Sequence, residues 1–205
     1  PVSEPIVVSP DDILNPTLIA GANYTSPSSN TELISTTYAV LKTISTITDV
    51  NTTDADVIDV STDQNVVATP KISGFEFINF NLDHKTPVDQ ALVNLNTISN
   101  FDTITFVNSS NETKTAKISV LNASGKLKFD SGFTGIDVYT DQNENVEIET
   151  SEDSIINIPN SSGALTINGG GKSVNVVTLN TGKIDISNNS GITLKAEQES
   201  DSLNL

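Results

Sequence analysis

The residues best suited to chemistry in this chain are carboxylates. Asp54, Asp56, Asp59 and Asp63 fall in one short stretch. Asp54 and Asp56 are two apart, so an extended strand would carry both on one face. Paired carboxylates beside backbone carbonyls suit Ca2+, a hard cation that takes oxygen ligands. The competing reading is a solvated strand entrance. A second candidate is Asp141, Asn143 and Asn145, whose oxygens take the first, third and fifth places of a calcium loop, with Glu152 at the twelfth. Val146 stands where such a loop needs glycine, and strands are expected on either side, so a polar β-turn competes. Glu197, Glu199 and Asp201 read as an acidic loop. His84, the single histidine, lies between Asp83 and Lys85 in an expected loop. With no Cys and no second His, neither a zinc site nor a triad is expected. Carboxylate pairs also run glycoside hydrolysis. Sugar sites usually add aromatic platforms and basic groups, and this chain has no Trp, three Tyr and few basic residues. No enzyme activity is expected.

Composition narrows the partners. The 205 residues carry 26 acidic and 10 basic side chains, a formal charge of -16. Nucleic-acid binding needs basic patches to neutralise phosphates, so it is excluded. Unaided docking on anionic membranes is disfavoured for the same reason. No apolar run approaches the roughly 20 residues of a membrane helix, so no membrane insertion is expected. Such acidity reads as plain solubility or, functionally, as divalent-cation binding, since carboxylates suit Ca2+. The absence of Cys removes disulfides and thiolate chemistry. Residues 1–19 lack the basic and apolar regions of a signal peptide, and the chain does not start with Met, so it is expected to be processed or to be an excised piece.

These side chains must be positioned by strands. Val and Ile favour pleated, half-buried strands, and Asn, Asp, Ser and Gly favour turns. Leu165 and Ile167 alternate with polar residues and are followed by Gly169, Gly170 and Gly171. Ile184 and Ile186 precede Asn188, Asn189 and Gly191, and Ile192 and Leu194 follow. The same period of two recurs through residues 118–121, 127–129, 136–139, 146–149 and 155–158, and earlier through 57–60, 74–82 and 101–107. Strands this short cannot each bury a core, but stacked in register they can. The expected fold class is all-β, a β-solenoid or elongated β-sandwich. Pro5, Pro10, Pro16 and Pro27 suggest an extended start. Residues 1–47 are read as an N-terminal packing segment and residues 48–205 as the β-rich repeat domain. Short helices are conceivable at residues 31–47 and 88–95, against Thr-rich and β-branched content in the first. Phe75 and Phe77 are expected on one strand face and Phe80 on the other. Asn-x-Ser/Thr sequons recur, as chance allows in so Asn-rich a chain.

One stretch is more distinctive. Asp54, Asp56, Val57, Ile58 and Val60 are followed by Ile72-Ser73-Gly74-Phe75-Glu76 and then Ile78-Asn79-Phe80. This pair resembles a recurrent module of bacterial S-layer (surface-array) proteins of the type I-secreted, repeat-in-toxin-related class. Residues 41–49 are similar to the stretch that precedes that module, and residues 199–205 to the opening of a further one. The Gly-Gly-x-Gly-x-Asp calcium repeats of that class are missing, because Lys172 follows the glycines. The resemblance implies an extracellular, cell-surface protein that assembles with copies of itself into a lattice, with Ca2+ as cofactor. The alternative is a secreted adhesin or filament subunit that binds a cell-surface glycan or a partner protein. A β-helical polysaccharide-active enzyme ranks below both.

Overall fold

Alternating apolar and polar residues build this molecule by stacking like on like. The computed structural model describes residues 13–26, 30–51, 54–83, 90–109, 116–130, 132–140, 144–159, 163–178, 182–196 and 202–204. In chain order its elements are β1 (Tyr24–Thr25), β2 (Leu33–Thr37), α1 (Tyr38–Leu41), β3 (Thr46–Thr48), β4 (Val57–Thr62), β5 (Lys71–Ser73), β6 (Phe77–Leu82), β7 (Ala91–Asn94), β8 (Ile98–Ser99) and β9 (Thr103–Asn108). There follow β10 (Ala116–Ala123), β11 (Gly125–Phe129), β12 (Phe133–Thr140), β13 (Val146–Thr150), β14 (Ser154–Ile158), β15 (Leu165–Thr178), β16 (Lys183–Ala196) and β17 (Ser202–Asn204). Every described strand pairing is parallel. The result is a β-solenoid of about seven turns, rather than a sandwich.

Three faces run along it. The first stacks β2, β4, β6, β9, β11 and β13, then the front halves of β15 and β16, then β17. The second stacks β7, β10, β12 and β14, then the rear halves of β15 and β16. The third, short face stacks β1, β3, β5 and β8. Both β15 and β16 pass from the first face to the second through a corner. In β15 the corner is glycine: Gly170 and Gly171 have φ of +56° and +79°, and a Cβ on Gly170 would lie 2.4 Å from the Thr150 carbonyl oxygen. Only glycine meets both demands at low cost.

The core is a set of rows. On the first face Ile34, Ile58, Ile78, Ile104, Leu127, Ile148, Ile167 and Ile186 are successive register partners, and all are buried. Burying each such side chain is worth about 1.5–3 kcal/mol. Two positions along, Val60, Phe80, Phe106 and Phe129 form a second row. The ring of Phe106 stacks on Phe80 at 5.8 Å and on Phe129 at 5.0 Å. The second face repeats the device with Ile118, Ile136, Ile156, Val176 and Leu194.

Two local expectations are corrected and one is narrowed. The short helix expected within residues 31–47 is present as a single turn, α1, between β2 and β3; Thr37 caps it, accepting a hydrogen bond from the Val40 N–H. The helix expected at residues 88–95 is absent from its described part. Ala91 and Val93 are buried as partners of Ile118 and Val120 in β7, so tertiary stacking overrides the local helical signals. Phe75 and Phe77 do not share a strand face either. Phe75 is fully buried ahead of β6, Phe77 points outward at 37 % exposure, and Phe80 points inward.

Candidate metal centre

The four aspartates of the first sequence candidate are separated by the solenoid. Asp59 lies mid-strand in β4 on the outward side, where its Oδ1 accepts a hydrogen bond of 2.6 Å from the Asn79 side chain. Asp63 lies beyond the far end of β4, beside a shallow hollow bordered by Tyr38, Gln64 and Asp83. Asp54 and Asp56 lie together ahead of the strand. Of the second candidate, Asp141 and Asn143 are outside the described residues. Asn145 is exposed, and its Oδ1 accepts from the Ala164 N–H at 2.8 Å, as a turn residue does. Glu197, Glu199, Asp201 and His84 also lie outside the described residues.

What gathers around Asp56 was not legible as a motif. Glu32 directly precedes β2, Asp56 directly precedes β4, and Glu76 directly precedes Phe77, the first residue of β6. The three acids therefore occupy the same corner on three successive coils. The backbone holds that row in place, since the Val57 N–H donates to the Glu32 carbonyl and the Phe77 N–H to the Asp56 carbonyl. The side chains follow suit. Asp56 Oδ1 accepts from the Glu32 N–H at 2.6 Å, and Glu76 Oε2 accepts from the Asp56 N–H at 2.9 Å.

The end of the third face supplies the opposite wall. Ser26, Asp49 and Gly74 follow β1, β3 and β5, and the Ser26 N–H donates to Thr48 while the Asp49 N–H donates to Ser73. The Ser26 hydroxyl donates to Glu32 Oε1 at 2.6 Å. Gly74 has φ +89°, and a Cβ there would lie 2.3 Å from the Asp49 carbonyl oxygen. Any other residue would push Asp49 out of the corner.

These contacts use only part of the acid set. Glu32, Asp49 and Asp56 are 0 %, 4 % and 0 % exposed. Glu32 Oε2, both oxygens of Asp49, Asp56 Oδ2 and Asp54 Oδ1 are buried without a hydrogen-bond partner. Glu32, Asp49 and Asp56 each offer an oxygen within 4.8 Å of the others, and Asp54, Asp56 and Glu76 form an overlapping trio. Among the described residues no ion pair reaches any of them; the ion pairs are Lys126 with Glu147 and Glu149, and Lys183 with Asp185.

The electrostatic consequences follow. Burial pushes the Asp56 carboxyl up to about 7, and the charges of Asp54, Asp49 and Glu32 add to that, while the Glu32 N–H works against it. Glu32 is raised by burial first and by Asp49 and Asp54, against the Ser26 hydroxyl. Glu76 is raised by burial, against the Asp56 N–H. The Tyr24 phenol, pushed up to about 12 by burial and by Glu32, Asp56 and Asp49, marks one side of the cluster. A group of oxygen acids with spare lone pairs and no basic partner is suited to a hard cation. The sequence singled out Asp54 and Asp56 but missed Glu32, Asp49 and Glu76. Their common signal was position, an acid immediately ahead of or after a stacked strand, and it is readable only once the coil register is known. No protein-family model, no curated protein and no solved structure matches this chain.

Proposed function

We propose that the chain is a structural segment of an extracellular bacterial surface layer, a rigid β-solenoid that assembles with copies of itself and performs no catalytic step. One observation carries this reading: the coils stack in parallel register through β17, with a continuous apolar interior and an outside of short polar side chains. Such a stack is quasi-one-dimensional, stiff along its axis and repetitive on its faces. Repetition lets small contacts add up across a lattice in which each copy meets its neighbours in the same way. The module-like stretch around Asp54 and Phe80 supports the same assignment, and the net charge of -16 makes divalent cations the natural bridges between copies. Purified protein concentrated with Ca2+ should form sheets or tubes in negative-stain electron microscopy and disperse on chelation. Monodisperse particles at every concentration would refute the reading.

A second reading, a glycan-binding adhesin, is favoured by a polar hollow on the first face bordered by Ser35, Asp59, Ser61 and Asn81. Those groups suit sugar hydroxyls. Glycan-array binding by a stable monomer, lost in Asp59→Ala, would favour it over the lattice.

A further inference from the structure

We infer that the corner formed by Glu32, Asp49 and Asp56 is a structural Ca2+ site that clamps the first coils of the solenoid together. The inference stands apart from the surface-layer reading, because it concerns one ion inside one chain.

Three observations carry it. First, the three carboxylates are at least nine-tenths buried, and four of their oxygens have no hydrogen-bond partner. A buried carboxylate oxygen without a partner is costly; here four of them, on three carboxylates, lie in one corner. Second, the ligand atoms lie within 4.8 Å of one another, about twice a Ca–O distance of roughly 2.3–2.6 Å. A single ion between them can therefore touch all three. Third, the like-charge row is an exception in this molecule. Elsewhere, among the described register pairs, acids meet neutral or basic partners: Asp59 meets Asn79, Asp137 meets Asn157, Glu147 meets Lys126 and Glu149 meets Lys128. Asp63 and Asp83 also meet, at the far ends of β4 and β6, but both are exposed; among the described residues only this corner buries acid on acid, and it is the corner that holds the unpartnered oxygens.

The donor set selects the ion. All ligands are hard oxygens, which disfavours Zn2+ and Cu2+. Asp49 keeps both oxygens free, which suits the bidentate carboxylates and six to eight ligands common around Ca2+, rather than the small octahedral shell of Mg2+. Asp54 Oδ1, also unpartnered, adds negative charge at the edge. Glu76 belongs to the adjoining trio, but it accepts from the Asp56 N–H and, unlike the three ligands, holds no buried oxygen without a partner, so it supports Asp56 instead of binding the ion. The ligands come from the segment before β2, the end of β3 and the segment before β4. One ion therefore joins two stacked coils.

Tyr24 provides a local probe, because tyrosine sensitises Tb3+ luminescence at short range and this phenol feels the charges of all three ligands. The full chain, stripped with chelator and dialysed, should bind one Ca2+ per chain by calorimetry. It should also give tyrosine-sensitised Tb3+ emission that excess Ca2+ removes. Asp49→Asn and Glu32→Gln should each weaken Ca2+ binding at least about tenfold, while Asp59→Asn leaves it unchanged. Tyr24→Phe should retain Ca2+ binding and lose most of the Tb3+ emission. Circular dichroism verifies that each variant keeps its strands. No saturable binding to folded wild-type chain would overturn the inference. So would equal binding in folded Asp49→Asn and Glu32→Gln, or Tb3+ emission undiminished in Tyr24→Phe. Lattice formation is read separately by microscopy, so failure of one reading does not mimic failure of the other.

Discussion

Chelated protein should become less stable as pH rises through the range where most proteins gain stability. The perturbation is a pH series between about 4 and 8 in excess chelator, with urea unfolding followed by far-ultraviolet circular dichroism. The Asp56 carboxyl rises from an ordinary 3.8 to about 7 in the folded chain. Between those values the folded state holds a proton that the unfolded state has released. Stability therefore falls with rising pH, in proportion to that difference in bound protons. A gap of about three pH units at about 1.4 kcal/mol each gives about 4 kcal/mol. Glu32 and Glu76 are shifted in the same direction, so they add to the slope. The cluster is expected to titrate as a unit, not as separate acids. Asp56→Asn keeps an oxygen for the Glu32 N–H and removes the charge, so it should flatten most of the slope. Saturating Ca2+ should reverse the slope, because the ion binds the deprotonated cluster and is displaced by protons. Stability that is flat or rising across this window in chelator would mean that the carboxylates are already compensated, and the reasoning would fail.

Further outcomes follow from the rows. Phe106→Ala removes a fully buried ring stacked on two others; urea unfolding should show a loss of about 3–5 kcal/mol from the cavity, with about 0.5–1.5 kcal/mol more per lost ring pair. Phe77→Ala, one coil earlier on the outward side, should cost under about 1 kcal/mol by the same measurement. Lys126→Met breaks surface ion pairs with Glu147 and Glu149 and should change the unfolding free energy by less than about 1 kcal/mol, an effect that salt erases. Because coils contact only their neighbours, Phe106→Ala should also broaden the unfolding transition and lower its denaturant slope, as an interrupted repeat array does.

The strand ladder was legible in the sequence because period-two alternation is a local property. Residues 165–168 and 184–187 announce their buried faces through Leu165, Ile167, Ile184 and Ile186 alone. The corner at Gly169, Gly170 and Gly171 was legible for the same reason. Whether these strands stack as a solenoid or pack as two sheets was not, since both place the same side chains inward. The short helix expected at residues 88–95 failed because Ala91 and Val93 answer to a row supplied by Ile118 and Val120 far along the chain. The candidate metal centre was legible only in part, for a related reason. Asp54 and Asp56 were identified by a spacing of two. The residues that complete the corner sit in other coils, and no spacing rule joins Glu32 to Asp49 to Asp56.

Parallel stacking makes that corner informative. A parallel ladder repeats each position at about 4.8 Å, so whatever a row contains it presents to itself. Apolar rows profit, as the Ile34-to-Ile186 row does, and amide–acid rows such as Asp59 with Asn79 gain hydrogen bonds. An uninterrupted acid row is self-repelling, and burial raises the repulsion because the local dielectric falls. Glu32, Asp56 and Glu76 nonetheless stand in one row, with Asp49 facing them and Gly74 shaped to let it approach. Backbone N–H donors relieve part of the charge, through the Glu32 and Asp56 amides, and they leave the remaining oxygens pointed at one another. A cation turns that geometry from a liability into a fastening, and it makes the order of the first coils depend on the ion. Hydrogen exchange should therefore distinguish the coils. Adding Ca2+ to chelated protein should slow exchange of the Glu32, Asp49, Asp56 and Val57 amides by at least about tenfold and leave those of β13 and β15 unchanged. Uniform slowing along the whole solenoid, or none at the corner, would contradict a local clamp.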